Sequence, residues 1–373
     1  MDKIEGRYIL LTDPRFVKES IKEIDPVNSI REKRRIDKYT WLISSEGELP
    51  KDKKYVFTYS LMDAIDVDLT DTASTASEIS KHLPKGISFR IFLLDALSNI
   101  ESNRDVEIKI GSIIESEDHP VDLENPGCAA LLISCGEKSV FGISRNVYEI
   151  YAIHTIFRPR NKKAIKYISR AEQKLEEAIN YFGIDLSKVK RCIDVGSAPG
   201  GWSDMALRNG KVVIGIDKGY MDYLQLRRYG GITIMVDKEE KAEVISLVSA
   251  IDPNINVCTF DEIEKIKEDR IPLIQIKTNS SAVALNLLQG LDLEMLMIDS
   301  NTHYTESTSI AIAFSKFLRN DGYLILTLKI NNRKPLSAID YATSKLKGTY
   351  TGIMIKKLVK NRSELTLFAQ RSF

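Results

Sequence analysis

The stretch RCIDVGSAPGGWSDMALRNGKVVIGID, residues 191–217, constrains the fold of this chain more than any other. Cys192-Ile193-Asp194-Val195 is a short apolar run that reads as a buried parallel strand. The loop Gly196-Ser197-Ala198-Pro199-Gly200-Gly201 then turns into a helix beginning near Trp202. A second strand, VVIGID, follows and ends in Asp217. Glycines in such a turn let backbone approach a ligand where a Cβ would collide. A carboxylate at the second strand tip can accept hydrogen bonds from both ribose hydroxyls of an adenosine ligand. The order strand, loop, helix, strand implies an α/β fold on a mostly parallel sheet. By itself the turn fits NAD, FAD or S-adenosylmethionine, and a strict GxGxxG is absent.

The string DVGSAPGGWS narrows that choice. It resembles motif I of the FtsJ-like (RrmJ-like) RNA ribose methyltransferases, D-x-G-x-x-P-G-G-[WF]-[ST]. The resemblance implies a Rossmann-like domain with a seven-stranded sheet that binds S-adenosylmethionine. Gly196, Ser197, Pro199, Gly200, Gly201 and Trp202 would lie about its methionine end and Asp217 at its ribose. Asp237, ending the strand ITIMVD, would face the adenine amino group, and Asp299 would also touch the cofactor.

The family further uses a Lys-Asp-Lys-Glu tetrad, and each member has a matching position here. Ser169-Arg170-Ala171-Glu172-Gln173-Lys174-Leu175 supplies Lys174, and LEMLMIDS supplies Asp299. The run Asp321 to Lys329 follows an Asp-Gly turn and supplies Lys329, while Arg362-Ser363-Glu364-Leu365-Thr366 supplies Glu364. Singly, each has an ordinary explanation as a surface charge or a strand-end residue. In the right order beside motif I, they form a constellation.

The chemistry of 2′-O-methylation fits such a set. A ribose hydroxyl is too weak an acid to ionise at neutral pH, so a base must take its proton as the new bond forms. A lysine amine can do so only when neutral, which requires lowering its ordinary value of about 10.4. Burial and a nearby second cation both act that way. The expected roles are Lys329 as base, Lys174 as the neighbouring cation, Asp299 as orienter and Glu364 as a support for Lys174 or the target ribose.

Two features depart from the family pattern. Asp299-Ser300-Asn301-Thr302-His303 stands where D-M-A-P-N is usual, and residues 238–290 are longer than in a minimal member. The extra segment, which includes INVCTF and IPLIQIKT, is either a further strand–helix unit in the sheet or a substrate-specific insertion.

Ahead of this domain, residues 1–50 read strand, helix, strand (RYILLT, FVKESIKEI, YTWLIS), with the basic run Arg31, Lys33, Arg34, Arg35 between the last two. Residues 51–150 hold YVFTYSL, the helix-like TASTASEISKHL, the strand ISFRIFLL and a helix over 102–114. The turn-rich VDLENPG and the strands CAALLISC and KSVFGIS follow. Their order resembles a THUMP domain, which implies an α+β RNA-binding region working with the preceding small α/β piece. Residues 151–373 form the catalytic domain, opened by a connector over 151–170. There Arg158, Arg160, Lys162, Lys163, Lys166 and Arg170 interleave with Phe157 and Tyr167. Cations among aromatics suit phosphate contact and base stacking, although an exposed charged helix face gives the same pattern. The combination resembles that of RlmM-like rRNA 2′-O-methyltransferases.

Charge distribution agrees with this division. Residues 1–150 carry 20 Lys and Arg against 27 Asp and Glu, whereas the remainder carries 33 against 25. Polyanion binding is therefore expected of the second part. The four cysteines, Cys128, Cys135, Cys192 and Cys258, lack CxxC spacing. That points to buried thiols in a reducing cytoplasm rather than a metal or disulfide framework. No apolar run reaches the length of a membrane span.

The alternatives are a base methyltransferase and an RNA-binding assembly factor with a degenerate methyltransferase fold. Guanine-nitrogen enzymes of the THUMP group need N/D-P-P-[YF] after the fourth strand, and cytosine C5 enzymes need a Pro-Cys; this chain has neither. The reading is an S-adenosylmethionine-dependent 2′-O-methyltransferase acting on structured RNA, rRNA or tRNA, without a metal.

Overall fold

The computed structural model describes residues 6–51, 53–95, 100–117, 119–134, 139–150, 153, 167–262, 264, 271–279, 281–330 and 334–372. The chain divides into two units, Met1–Lys162 and Lys163–Phe373.

The first unit holds two four-stranded sheets. One is built from β1 (Gly6–Thr12), β2 (Ile30–Arg35), β3 (Thr40–Ser45) and β4 (Thr58–Asp63) in the order β2-β3-β1-β4, with helix α1 (Val17–Ile24). Tyr8, Leu10, Ile24, Ile43 and Leu61 form its core. Two readings from sequence are corrected here. The basic run, placed between elements on sequence, is itself strand β2, antiparallel to β3 and almost wholly exposed. YVFTYSL does not belong with the residues after 50. Its last part is β4, antiparallel to β1, so the break between the sheets falls after Asp63. The second sheet contains β5 (Ile65–Val67), β6 (Phe89–Asp95), β7 (Cys128–Ser134) and β8 (Ser139–Ser144) in the order β5-β8-β7-β6. Helices α2 (Thr72–His82) and α3 (Ile100–Glu115) belong to the same segment. Asp71 starts α2 by accepting the amide protons of Ala73 and Ser74, which have no partner inside the helix. In VDLENPG, the Asp122 carboxylate accepts the N–H groups of Glu124 and Asn125, which fixes the turn.

The second unit opens with α4 (Ala171–Phe182), ended by Gly183 in the left-handed conformation that suits glycine. Then come β9 (Arg191–Val195), α5 (Gly201–Arg208), β10 (Val212–Asp217), α6 (Tyr223–Leu226), β11 (Ile232–Val236) and α7 (Lys241–Ser249). The extra segment contributes β12 (Asn256–Thr259), β13 (Leu273–Lys277) and α8 (Ser281–Leu287). The chain finishes with β14 (Leu293–Ile298), α9 (Tyr304–Phe314), β15 (Leu318–Lys329), α10 (Pro335–Leu346), β16 (Tyr350–Lys356) and β17 (Glu364–Arg371).

These strands form one nine-stranded sheet, β12-β11-β13-β10-β9-β14-β15-β17-β16, rather than the seven-stranded sheet expected. β12 to β15 are parallel in their pairings, while β17 runs antiparallel to β15 and β16 antiparallel to β17. The extra segment is thus part of the sheet, and β13 enters between β10 and β11. The arrangement is a Rossmann-like α/β fold, whose ligand sites lie at the carboxyl ends of the parallel strands. Cys192, Val213, Ile234, Leu273, Met297 and Ile325 are buried in its core, as the near-continuous apolar strands require.

Candidate active site

Four charged side chains from distant segments meet at the carboxyl end of the sheet. Asp299 follows β14, and Lys329 ends β15. Glu364 begins β17 and pairs across the sheet with Lys329, because an antiparallel strand starts where its parallel neighbour stops. Lys174 reaches the group from α4, whose apolar stripe Leu175, Ala178 and Ile179 is seated in the core. Lys174 Nζ donates to Asp299 Oδ2 at 2.6 Å and to Glu364 Oε1 at 3.3 Å. Lys329 Nζ donates to Asp299 Oδ1 at 3.2 Å and lies 3.9 Å from Glu364 Oε2. Positive and negative groups alternate, and each lysine bridges both carboxylates. The Lys329 side chain is 18% exposed and the other three are 10–11% exposed. Ions this far from water are tolerated only when so paired.

Beside this quartet lies the glycine loop. Gly196 has φ +83°, and a Cβ there would stand 2.7 Å from Ser300 Cα and 2.8 Å from Ser300 N. Gly200, at φ +114°, precedes the first residue of α5. The backbone therefore turns within van der Waals contact of the loop after β14. Asp194 Oδ1 and Ser197 Oγ are buried here without a hydrogen-bond partner among the described residues. The other Asp194 oxygen accepts from Ser203 Oγ at 2.7 Å. Burial pushes the Asp194 carboxyl up to about 7, reinforced by the nearby Asp299 and Asp217 charges.

Asp217 points back at the loop, accepting the N–H of Ala198 at 3.0 Å and of Gly219 at 2.8 Å. Each oxygen keeps a lone pair for a further donor. Pro199 is exposed. Trp202 is 3% exposed, packed in the core, and its indole N–H donates to the Ala171 carbonyl at 2.8 Å, tying α5 to the start of α4. Asp237 is exposed and follows β11, which β13 separates from β10. Lys277 is instead the residue paired with Asp217. Arg170 is exposed immediately before α4, whereas Arg158, Arg160, Lys162, Lys163 and Lys166 lie outside the described residues. So does Cys135; Cys128, Cys192 and Cys258 are buried thiols. Among the described residues no cluster of metal-binding side chains occurs, and no helix is long and apolar enough to cross a membrane.

Residues 167–288 match the model of the FtsJ-like methyltransferase family. That match falls within the second unit. The chain is 24% identical over 208 residues to an uncharacterized protein of Methanocaldococcus jannaschii, covering 55% of this chain and 47% of that one. It is 48% identical over 56 residues to ribosomal RNA large subunit methyltransferase E of Granulibacter bethesdensis, covering 15% and 24%. The chain thus spans less than half the length of either relative. Among solved structures, TrmN from Thermus thermophilus aligns over 98% of this chain and 100% of its own, at 11% identity and a TM-score of 0.32.

Several residues that hold the site together are not marked by motif. Glu172, fully buried on α4, accepts the Ile168 N–H at 2.5 Å and the Arg208 guanidinium at 2.6 Å. Arg208 also donates to the buried Asp204, as do Arg228 and Tyr229. Gln275 on β13 donates to the Gly219 carbonyl at 2.7 Å and accepts from the Tyr223 hydroxyl, anchoring the loop after β10. A charged or amide residue inside an apolar strand, as at Asp194 and Gln275, is the signal that identifies such positions.

Proposed function

We propose that the FtsJ-like domain methylates ribose 2′-oxygens of structured RNA, using S-adenosylmethionine and the Lys174-Asp299-Lys329-Glu364 quartet. The observation that carries this reading is the alternating ring in which each lysine touches both carboxylates. Purely structural pairing would need only one carboxylate per lysine. A ring at the carboxyl end of the sheet, beside a loop that admits only glycine at position 196, fits a reaction centre better.

The site's own residues fit the cofactor. Gly196, Gly200 and Gly201 let the loop pack tightly against Ser300, Leu226 and Ser169, Asp217 keeps lone pairs for ribose hydroxyls, and unpartnered Asp194 Oδ1 and Ser197 Oγ suit a donor at the cofactor's amino-acid end. S-adenosylmethionine supplies an electrophilic methyl group on a sulfonium. Asp237 is not carried into this reading, because β13 stands between its strand and Asp217. Pro199 and Trp202 shape the loop from outside and beneath.

Of the two lysines, Lys174 makes the shorter contacts and is less exposed, which suits a fixed cation. Lys329 is held more loosely and is the most open of the four, which suits a base that meets substrate. In this mechanism Lys329, when neutral, would take the 2′-hydroxyl proton as the oxygen–carbon bond forms and the bond from that carbon to the sulfonium sulfur breaks. Asp299 and Glu364 then receive the new ammonium without moving. Asp299 orients both lysines, one through each oxygen.

RNA as the partner is supported by the rRNA methyltransferase relative and by the excess of cations after residue 150. The first unit is assigned a THUMP-like RNA-binding role and the 151–170 connector a phosphate-contacting one, on the sequence pattern described above.

The test is Lys329→Ala. We expect transfer of labelled methyl to RNA to be lost, while calorimetric affinity for S-adenosylmethionine stays within about twofold. Retained transfer removes the base assignment. Label recovered on a base rather than ribose removes the 2′-O assignment, and absence of cofactor binding in the wild type favours an RNA-binding assembly factor.

A further inference from the structure

Helix α4 carries a further buried charge, one turn beyond Lys174. Glu177 is 1% exposed, and its two oxygens accept successive backbone N–H groups, Val359 at 2.7 Å and Lys360 at 2.8 Å. Those residues lie in the 357–363 connection between β16 and β17, which ends directly at Glu364. The connection is itself tightly fixed. Lys357, fully buried, donates from Nζ to the carbonyls of Leu358 at 3.0 Å and Asn361 at 2.7 Å. The Asn361 amide donates to Thr366 Oγ1 at 3.0 Å, and the Ser363 carbonyl accepts from Ile330 N at 2.9 Å. Leu358 joins the same core as Leu175 and Ala178. A firm path thus runs from Glu177 to Glu364, and one helical turn runs from Glu177 to Lys174.

A buried carboxylate is a costly way to pack a helix. Burial raises the Glu177 carboxyl, against the two N–H groups and the Lys360 and Lys357 charges, which favour its ionised form. An apolar side chain would avoid that cost but leave the Val359 and Lys360 N–H groups without this acceptor. What the carboxylate adds is direction: paired hydrogen bonds fix both rotation and axial offset, which apolar packing leaves softer. Ring geometry needs that, since an error of about 1 Å in a reacting group is enough to cost orders of magnitude in rate.

We propose that Glu177 is a positioning residue, setting α4 against β17 so that Lys174 meets Asp299 and Glu364 together. The proposal rests on the catalytic reading given above. Glu177 touches none of the four directly and acts through the helix it shares with Lys174.

The test uses the full-length protein with Glu177→Gln and, as a control for stability alone, Ile179→Ala on the same helix. An amide can accept only one of the two N–H groups and turns a donor toward the other. Well below both melting temperatures, Glu177→Gln should lower kcat at least tenfold with cofactor Kd within twofold. Ile179→Ala should lose melting temperature but keep kcat within twofold. Equal kcat in Glu177→Gln and wild type, or losses that follow melting temperature in both variants, overturns the proposal. Should Glu177→Gln not fold, Glu177→Asp keeps a two-oxygen acceptor on a shorter arm; an unchanged kcat there also overturns it. If the wild type transfers no methyl group, the catalytic reading has failed, and a measurement without turnover decides. The thermal-stability coupling between Lys174→Met and Glu364→Gln is then compared with and without Glu177→Gln. Coupling reduced by half or more supports the positioning role, and unchanged coupling removes it.

Discussion

Replacing Asp194 by Asn should make the protein more stable at pH 8 and leave it no better at pH 5. In the open chain an aspartate ionises near 4, whereas in the fold burial holds this carboxyl up to about 7. Between those two values the unfolded chain releases a proton that the folded one keeps. Stability from this group is therefore complete below about pH 4 and is lost as pH rises through about 7. By pH 8 the accumulated cost is about 4 kcal/mol. Asn cannot ionise, so the variant escapes that cost. Its carbonyl can still accept from Ser203 Oγ, but its amide places a donor where Oδ1 has no partner, at about 1–3 kcal/mol. The net gain at pH 8 is about 1–3 kcal/mol, or roughly 2–10 °C for a unit of this size. Near pH 5, where most of the cost has yet to appear, the unsatisfied amide dominates and the variant should melt at or below wild type. Scanning calorimetry of both proteins at half-unit steps from pH 5 to 8, without cofactor, reads the difference directly. A melting-temperature difference that stays constant across the series refutes the reasoning.

Two further outcomes follow from the packing around the loop. Arg208→Ala leaves Glu172 and Asp204 buried without the cation they share, and denaturant unfolding should show a loss of about 3–5 kcal/mol, more than for the more exposed Arg228→Ala. Gly196→Ala forces a Cβ to within 2.8 Å of the Ser300 backbone at a φ of +83°, and calorimetry should find S-adenosylmethionine affinity lowered at least tenfold; unchanged affinity would mean that the loop yields.

Much of this was legible because the signals were local. The apolar run before Gly196 and the turn after it define β9 and α5 without reference to anything distant. Lys174, Asp299, Lys329 and Glu364 could be listed from the family resemblance, but their distances of 2.6 to 3.9 Å belong to the folded sheet alone. Pairing partners were not legible. YVFTYSL reads as a strand whichever sheet receives it, and only its pairing with β1 decides. IREKRR carries little apolar patterning, because an edge strand exposed on its outer side needs none. Glu177 looks like a surface residue of an amphipathic helix, and its burial comes from a connection 182 residues away in sequence. ITIMV and LIQIK are equally good parallel strands, and local sequence does not say which lies beside β10.

The late arrival of β13 has a consequence for how the chain assembles on the ribosome. β10 and β11 are synthesised in succession but never touch; the place between them belongs to Leu273–Lys277, made after α7 and β12. Until that segment emerges, the growing half-sheet holds two apolar edges that lack their native neighbour, and direct pairing of β10 with β11 is a ready mistake. Translation pausing or truncation between residues 237 and 277 should therefore leave a more aggregation-prone nascent chain than a pause after β14 is made, when β10, β11 and β9 all have their neighbours.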